Sequence, residues 1–512
     1  MTEKRIIPGL DATGGWDVPA RLNMAAQVMD HPADHLAIID LTSGVRRDVS
    51  HGDLVQMVDG LARALLQRVQ PGDRIGVLLS QSPWCAAAHL AIWKIGAISV
   101  PLFKLFQYEA LANRVEDAGA KYVLTDHDGA LQLGDLAEPL LAAEIGVAGA
   151  PVPFADTGAE DPAIIIYTSG TTGKPKGALH GHRVLTGHLP GVSVSHDHLG
   201  QAGDCLWTPA DWAWIGGLFD VAMPGLALGV PVVAARLDKF SPETCAEVIR
   251  AGDVRNVFFP PTALRMLKAG GQGLDGLRSV ASGGEPLGAE MLAWGQRCMG
   301  VTINEFYGQT ECNMTVSSCA VDFPVRPGCI GKPVPGHEVE VIDENGQPTQ
   351  GEGDVAVRRG SASMMLEYWN RPDATAEKFR GDWLVTGDRG IWEAGYLRFV
   401  GREDDVITSA GYRIGPSEIE DCLMTHPAVA TVGVVGKPDA LRTEIVKAYV
   451  VLTPGQMASA EELQAYVKQR LASYSYPREI AFLDALPMTV TGKVIRKELK
   501  RRAAAEVEDQ IQ

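Results

Sequence analysis

Apolar residues in DLVQMVDGLARALLQR, residues 53–68, recur at intervals of three and four, which is the spacing of one helix face. The next apolar run, RIGVLLS at 74–80, is short and bounded by polar residues, and so reads as a buried strand. The alternation continues through CAAAHLAIWKIGA (helix), AISVPL (strand), ALANRVEDAGA (helix) and KYVLTD (strand). Such alternation between about residues 50 and 260 predicts parallel sheets joined by crossover helices. No fixed-period repeat accompanies it.

The texture changes in the last quarter. GREDDVITSAGYRIGPSEIED, residues 401–421, is polar and turn-rich. A helix, a VGVVG strand, a KAYVVL strand and a helix from Ala460 to Leu471 follow. We expect a large N-terminal α/β domain over residues 1–403, with parallel or mixed sheets and crossover helices. A small C-terminal α+β lobe is expected over 404–512, with the linker at Gly401–Asp405. The terminal IRKELKRRAAAEVEDQIQ is charged on most faces, as a solvated helix is.

Length agrees with this division, because 512 residues exceed what one core ordinarily holds. A formal charge of −17 disfavours nucleic acid and anionic membrane as partners, since both need a basic surface. The apolar run Gly216–Ala235 is broken by Asp220, Pro224 and Pro231, so no membrane span is expected. With no secretory h-region after the first charges, the expected location is the cytoplasm. Eight scattered cysteines without a C-x-x-C pair read as reduced and structural. His180, His182, His188, His196 and His198 lack a nearby ligand set at metal spacing, and are expected on the surface or in loops.

One stretch carries more chemistry. IIIYTSGTTGKPKG, residues 164–177, passes from a strand into a loop of hydroxyls, glycines and two lysines. Bare backbone N–H groups in such a loop can approach phosphate oxygens closely. The Walker spacing fails: Gly170 precedes Gly173 by three residues, and Lys174 is followed by Pro175. A P-loop kinase is disfavoured.

Taken together with SGGEPL (282–287), EFYGQTE (305–311), TGD (386–388), GREDD (401–405) and TGK (491–493), this loop resembles the acyl-adenylate-forming superfamily. Within it, SAGYRIGPSEIE and YPREIAFLDALPMTVTGKVIRKEL most resemble short- and medium-chain acyl-CoA synthetases of the AMP-forming kind. The resemblance runs over nearly the whole chain. It implies ATP-dependent conversion of a carboxylic acid to acyl-AMP and then acyl-CoA, with Mg²⁺ as cofactor and CoA as acceptor.

The resemblance also implies roles. Thr168, Ser169, Gly170, Thr171, Thr172, Gly173, Lys174, Pro175 and Lys176 would cover the β- and γ-phosphates. Gly284, Glu285 and Pro286 would line adenine, and Glu305, Phe306, Tyr307, Gly308, Gln309 and Thr310 would floor the base and α-phosphate. Glu311 would hold Mg²⁺, while Asp388 would accept from the ribose hydroxyls with Arg402 assisting. Thr310, Glu311 and Lys493 are the implied catalytic residues, Lys493 being set against the α-phosphate and carboxylate oxygens.

For thiolysis the small lobe would rotate about Asp404, bringing Ala410, Gly411 and Tyr412 beside pantetheine, with Arg413 adjoining. Ala410 replaces a frequent serine, which removes one hydroxyl contact to CoA. Arg442, Lys468 and Tyr476 match positions that bind CoA phosphates and adenine. The acyl pocket would use Trp212, Trp214 and the space beside Gly308, where acetate-specific relatives tend to carry tryptophan. That points away from acetate and toward a branched short-chain, medium-chain or small aromatic acid. Loading of a carrier-protein thiol is the alternative outcome, and an aryl-CoA ligase the alternative substrate class.

Overall fold

The computed structural model describes residues 7–168, 175–237, 240–271, 273–409, 412–439, 442–471, 475–489 and 493–509, without the side chains of 412, 413, 508 and 509. The alternating region forms a seven-stranded sheet. From one edge its strands are Glu367–Tyr368, Gly177–Gly181, Pro162–Tyr167, Ile98–Pro101, Arg74–Leu78, Tyr122–Thr125 and Glu138–Leu141. The last five of these run parallel, as expected, and the two strands at the first edge are antiparallel.

A nine-stranded sheet is built around Ser279–Gly283 and Ile303–Gln309, a parallel pair; Ile303–Gln309 then folds back antiparallel into Cys312–Ser317. The largest core cluster draws residues from both sheets and from the helices His51–Leu66, Pro83–Lys94 and Val184–Ser195. Pro83–Lys94 is apolar all round, as befits a helix buried on every side. Its one charge, Lys94, meets Asp59 at 2.5 Å. His51–Leu66 starts at Ser50 through a capping box with Asp53.

The histidine expectation is corrected here. His180, His182, His188 and His196 are all buried, because Gly177–Gly181 and Val184–Ser195 lie inside the large domain. At Gly187 the helix comes so close that a Cβ would meet Ser363 N at 2.1 Å. Burial draws His180 down to about 3 and His188 to about 4, so both are neutral. The cysteines follow expectation: all eight are free, and only Cys298 is exposed.

A third sheet, centred on Gly353–Arg358 and Trp383–Glu393, is antiparallel. The small lobe has its own sheet of Tyr412–Ile414, Ile407–Ser409, Thr443–Leu452, Val429–Asp439 and Glu479–Phe482, with its own core. The helix expected at 460–471 spans Ala460–Lys468, and the terminal helix is Arg496–Asp509. Among the described residues no helix is long and apolar enough to cross a membrane.

Candidate active site

The reversal from Ile303–Gln309 into Cys312–Ser317 pairs Gln309 with Cys312, which sets Thr310 and Glu311 at the tip of a hairpin. Asp388 projects toward this strand from Trp383–Glu393. Tyr307 donates its hydroxyl to Asp388 Oδ2 at 2.5 Å, and Gln309 Nε2 donates to the same oxygen at 3.0 Å. Arg402 faces Asp388 in strand register, with Nε 4.0 Å from Oδ1. Burial raises the Asp388 carboxyl above its ordinary value, while Arg402 and the hydrogen bonds oppose that rise.

Glu311 is buried, and its carboxylate accepts from the Tyr368 hydroxyl. The Tyr368 ring lies 5.2 Å from Lys176 Nζ. Lys176 stands at the stem of the glycine-rich loop, where its carbonyl accepts from Thr168 N at 2.9 Å. The stem thus meets the Glu311 hairpin. Ser169 to Lys174 lie outside the described residues.

Glu285 pairs with Arg265, and Gly284 takes φ +100°, a backbone that favours glycine. Glu305 is buried beneath the same loop and accepts from Leu287 N at 3.3 Å. Burial pushes Glu305 up to about 8, with a further rise from Asp421 of the small lobe.

Lys493 enters this site from the small lobe. Its backbone is fixed by reciprocal bonds with Thr489, N to Oγ1 at 3.0 Å and Thr489 N to its carbonyl at 2.7 Å. Its Nζ lies 5.8 Å from the Trp214 ring centroid, and a Cβ on Gly284 would be 3.7 Å from it. Burial lowers the Lys493 ammonium, opposed by Glu285 and Asp388 and reinforced by Arg402. Residues separated by up to 208 positions in sequence, Glu285 and Lys493, therefore share one electrostatic environment.

The pocket residues divide. Trp214 stays at the site, whereas Trp212 is fully buried in the core with Phe219. Gly308 does not face an open slot: a Cβ there would meet Asn313 Oδ1 at 2.4 Å and Met314 N at 2.5 Å. The facing strand occupies that space, so Gly308 does not open the deeper acyl slot expected from the absence of an indole. Nearby, Asn313 Nδ2 donates to buried Asp220 at 2.7 Å, and burial raises the Asp220 carboxyl well above its ordinary value while Asn313 opposes that rise.

Among the CoA candidates, Lys468 Nζ stacks 5.1 Å from the Tyr476 ring, while Arg442 caps Asp439 through its backbone N at 2.8 Å. No contact joins Arg442 to the other two among the described residues. Tyr412 and Arg413 sit on a strand paired with Ile407–Ser409, and Ala410 and Gly411 lie outside the described residues. Asp404 occupies the short turn Glu403–Asp405, where its carbonyl accepts from Lys500 Nζ.

Two polar residues at the site escaped the sequence reading. Lys378 donates to Gln309 Oε1 at 3.2 Å and to the Thr386 carbonyl at 3.1 Å; Tyr368 binds Glu311. Neither sits in a motif, and only the tertiary pairing of Glu367–Tyr368 with Gly177–Gly181 brings Tyr368 in.

Residues 24–369 match the AMP-binding enzyme family, and residues 418–493 match the AMP-binding enzyme C-terminal domain. The chain is 35% identical over 468 residues to an acetyl-coenzyme A synthetase of Bacillus subtilis, covering 84% of this chain and 81% of that one. It is 32% identical to the human mitochondrial acyl-coenzyme A synthetase ACSM2B, covering 95% and 92%. The ATP-bound MatB structure from Rhodopseudomonas palustris superposes with a TM-score of 0.82 at 27% identity, covering 94% and 98%. With both domains matched, the chain belongs to the AMP-binding enzymes, the acyl-adenylate-forming superfamily, in its acyl-CoA synthetase branch.

Proposed function

We propose that this chain activates a short- to medium-chain carboxylic acid through acyl-AMP to acyl-CoA, and that Lys493 is the residue on which the first half-reaction turns. The supporting observation is the insertion of Lys493 from the small lobe between Trp214, Gly284 and the field of Glu285 and Asp388. In the first half-reaction a carboxylate oxygen attacks the α-phosphorus and the bond to pyrophosphate breaks. Two anions must meet, so positive charge placed between them lowers the barrier. Lys493 supplies that charge, and the Thr168–Lys176 loop covers the departing phosphates.

Glu311 suits Mg²⁺, being a buried carboxylate, a hard oxygen donor, beside the loop stem. When bound, the ion neutralises phosphate charge. Asp388, held by Tyr307 and Gln309, accepts from the ribose hydroxyls. In the second half-reaction the CoA thiolate attacks the acyl carbon and AMP leaves. Lys493 would obstruct that approach, so the small lobe rotates at the proposed boundary, residue 404. Lys500 supports this hinge: it binds the Asp404 carbonyl and meets Asp405 at 2.9 Å, which ties the following peptide to the terminal helix. The proposed rotation would then fall on the N-terminal side of that tether, at Asp404.

For the substrate, the apolar Trp214 ring at the site favours an uncharged acyl group over a charged one. Free cysteines throughout agree with a reducing compartment such as the cytoplasm. A panel of linear, branched and aromatic acids, assayed with ATP and CoA by AMP release, tests the proposal. AMP is expected with short- to medium-chain acids whose acyl group is uncharged. Release only when a carrier protein replaces CoA would contradict it.

A further inference from the structure

One cluster lies apart from the active-site residues. Helix Val184–Ser195 is followed by Asp197 and His198, whose φ values of +51° and +62° turn the chain sharply. Beyond strand Cys312–Ser317 the chain turns again, with Asp322 N and Phe323 N both donating to the Cys319 carbonyl at 3.1 Å. These two turns meet. His198 Nε2, Cys319 Sγ and an Asp322 carboxylate oxygen all lie within 4.8 Å of one another. His198 Nε2 is 3.0 Å from Asp322 Oδ1, and Cys319 Sγ is 3.9 Å from Asp197 Oδ1.

Charge is unbalanced there. Arg278 spends its guanidinium on Asp204, at 2.6 and 2.8 Å, and reaches Asp197 only at its backbone carbonyl, 3.1 Å away. Among the described residues neither Asp197 nor Asp322 forms a salt bridge with lysine or arginine. Two carboxylates thus converge on an imidazole and a buried thiol. One nitrogen, one sulfur and one or two oxygens match a borderline transition metal such as Zn²⁺, not a hard ion such as Mg²⁺. Bonds of about 2.0–2.3 Å to such an ion put its ligands roughly 3.3–3.8 Å apart, within reach of small side-chain rotations from the observed spread.

We propose that His198, Cys319 and Asp322 form a site for a zinc-class divalent cation, with Asp197 or a water as fourth ligand. Binding replaces the thiol proton by the metal and releases that proton to solvent. Asp322, with a side chain 47% exposed, is the entry side, and buried Cys319 the inner anchor. The ion fastens the end of helix Val184–Ser195 to the turn after Cys312–Ser317. Asn304 Nδ2 joins the same cluster by donating to Asp197 at 2.9 Å, and Asn304 lies on the strand that carries Tyr307. The metal therefore braces the hairpin behind Glu311 without touching the reacting groups. Short-range sequence spacing hides the site, because His198 and Cys319 are 121 positions apart.

The test uses the full chain carrying Cys298→Ser, which removes the exposed thiol, after treatment with a chelator and titration with Co²⁺. A thiolate-to-cobalt charge-transfer band saturating at one ion per chain is expected, with Zn²⁺ displacing it. Cys319→Ser should abolish the band, and the exposed, conservative Asp322→Asn should weaken binding at least tenfold, both with unchanged circular dichroism. No band in the folded parent chain, or the same band in Cys319→Ser, overturns the proposal. The parent measurement decides the matter even if a variant misfolds.

Discussion

Lys493 Nζ of the small lobe stands 5.8 Å from the Trp214 ring centroid of the large domain, with the ammonium in the field of Glu285 and Asp388. On the proposed function, a lysine so placed belongs to the conformation that carries out adenylation. The remaining site residues can be tested against that geometry.

Asp388→Asn keeps the shape that Tyr307 and Gln309 grip but removes the negative charge that, in the proposed mechanism, is offered to the ribose. Hydrogen bonds to a charged group contribute about 1.5–3 kcal/mol, so KM for ATP should rise roughly 10- to 100-fold. KM for the acid should stay nearly constant. Steady-state kinetics with each substrate varied separates the two; an equal rise in both would place Asp388 elsewhere in the mechanism.

Gly308→Ala forces a Cβ against Asn313 Oδ1 at 2.4 Å and Met314 N at 2.5 Å. Overpacking against backbone costs about 1–3 kcal/mol. The variant should unfold at lower denaturant concentration without a shift toward smaller acids. A change of chain-length preference at unchanged stability would show instead that Gly308 borders an open slot.

Asp421 and Glu305 give the closed arrangement a pH dependence. Burial carries Asp421 from 3.8 to about 7, raised further by Glu420 and Glu418 and opposed by Arg265. It likewise carries Glu305 from 4.5 to about 8. Both carboxyls are thus held protonated in the folded chain, while an unfolded chain releases those protons at ordinary values. Their contribution is complete below the ordinary carboxylate range and is lost as pH rises through about 7 to 8. Asp421→Asn should therefore flatten the fall of melting temperature across that window. An unaltered slope would mean that Asp421 is solvated.

Much of the framework was legible because its signals are local. The helix 53–68 pattern and the apolar strand at 74–80 need no tertiary information. The loop stem, the Glu311 hairpin and Asp388 were legible as motifs. What sequence spacing hid is tertiary: the burial of His180 and His188, the Tyr368–Glu311 bond, the Glu305–Asp421 coupling across the lobes and the strand packed on Gly308. Each depends on a neighbour distant in sequence, and local periodicity carries no record of it.

In the proposed mechanism Lys493 acts in one half-reaction and leaves for the other, so the decisive measurement takes the halves apart in Lys493→Ala. Pyrophosphate release from ATP and acid should fall at least 100-fold, given that a buried charge at a transferring phosphoryl group contributes roughly 3 kcal/mol or more. Thioester formation from supplied acyl-AMP and CoA should change less than about threefold, since the proposed rotation withdraws the lysine by then. An equal loss in both halves would contradict a lysine that serves adenylation alone.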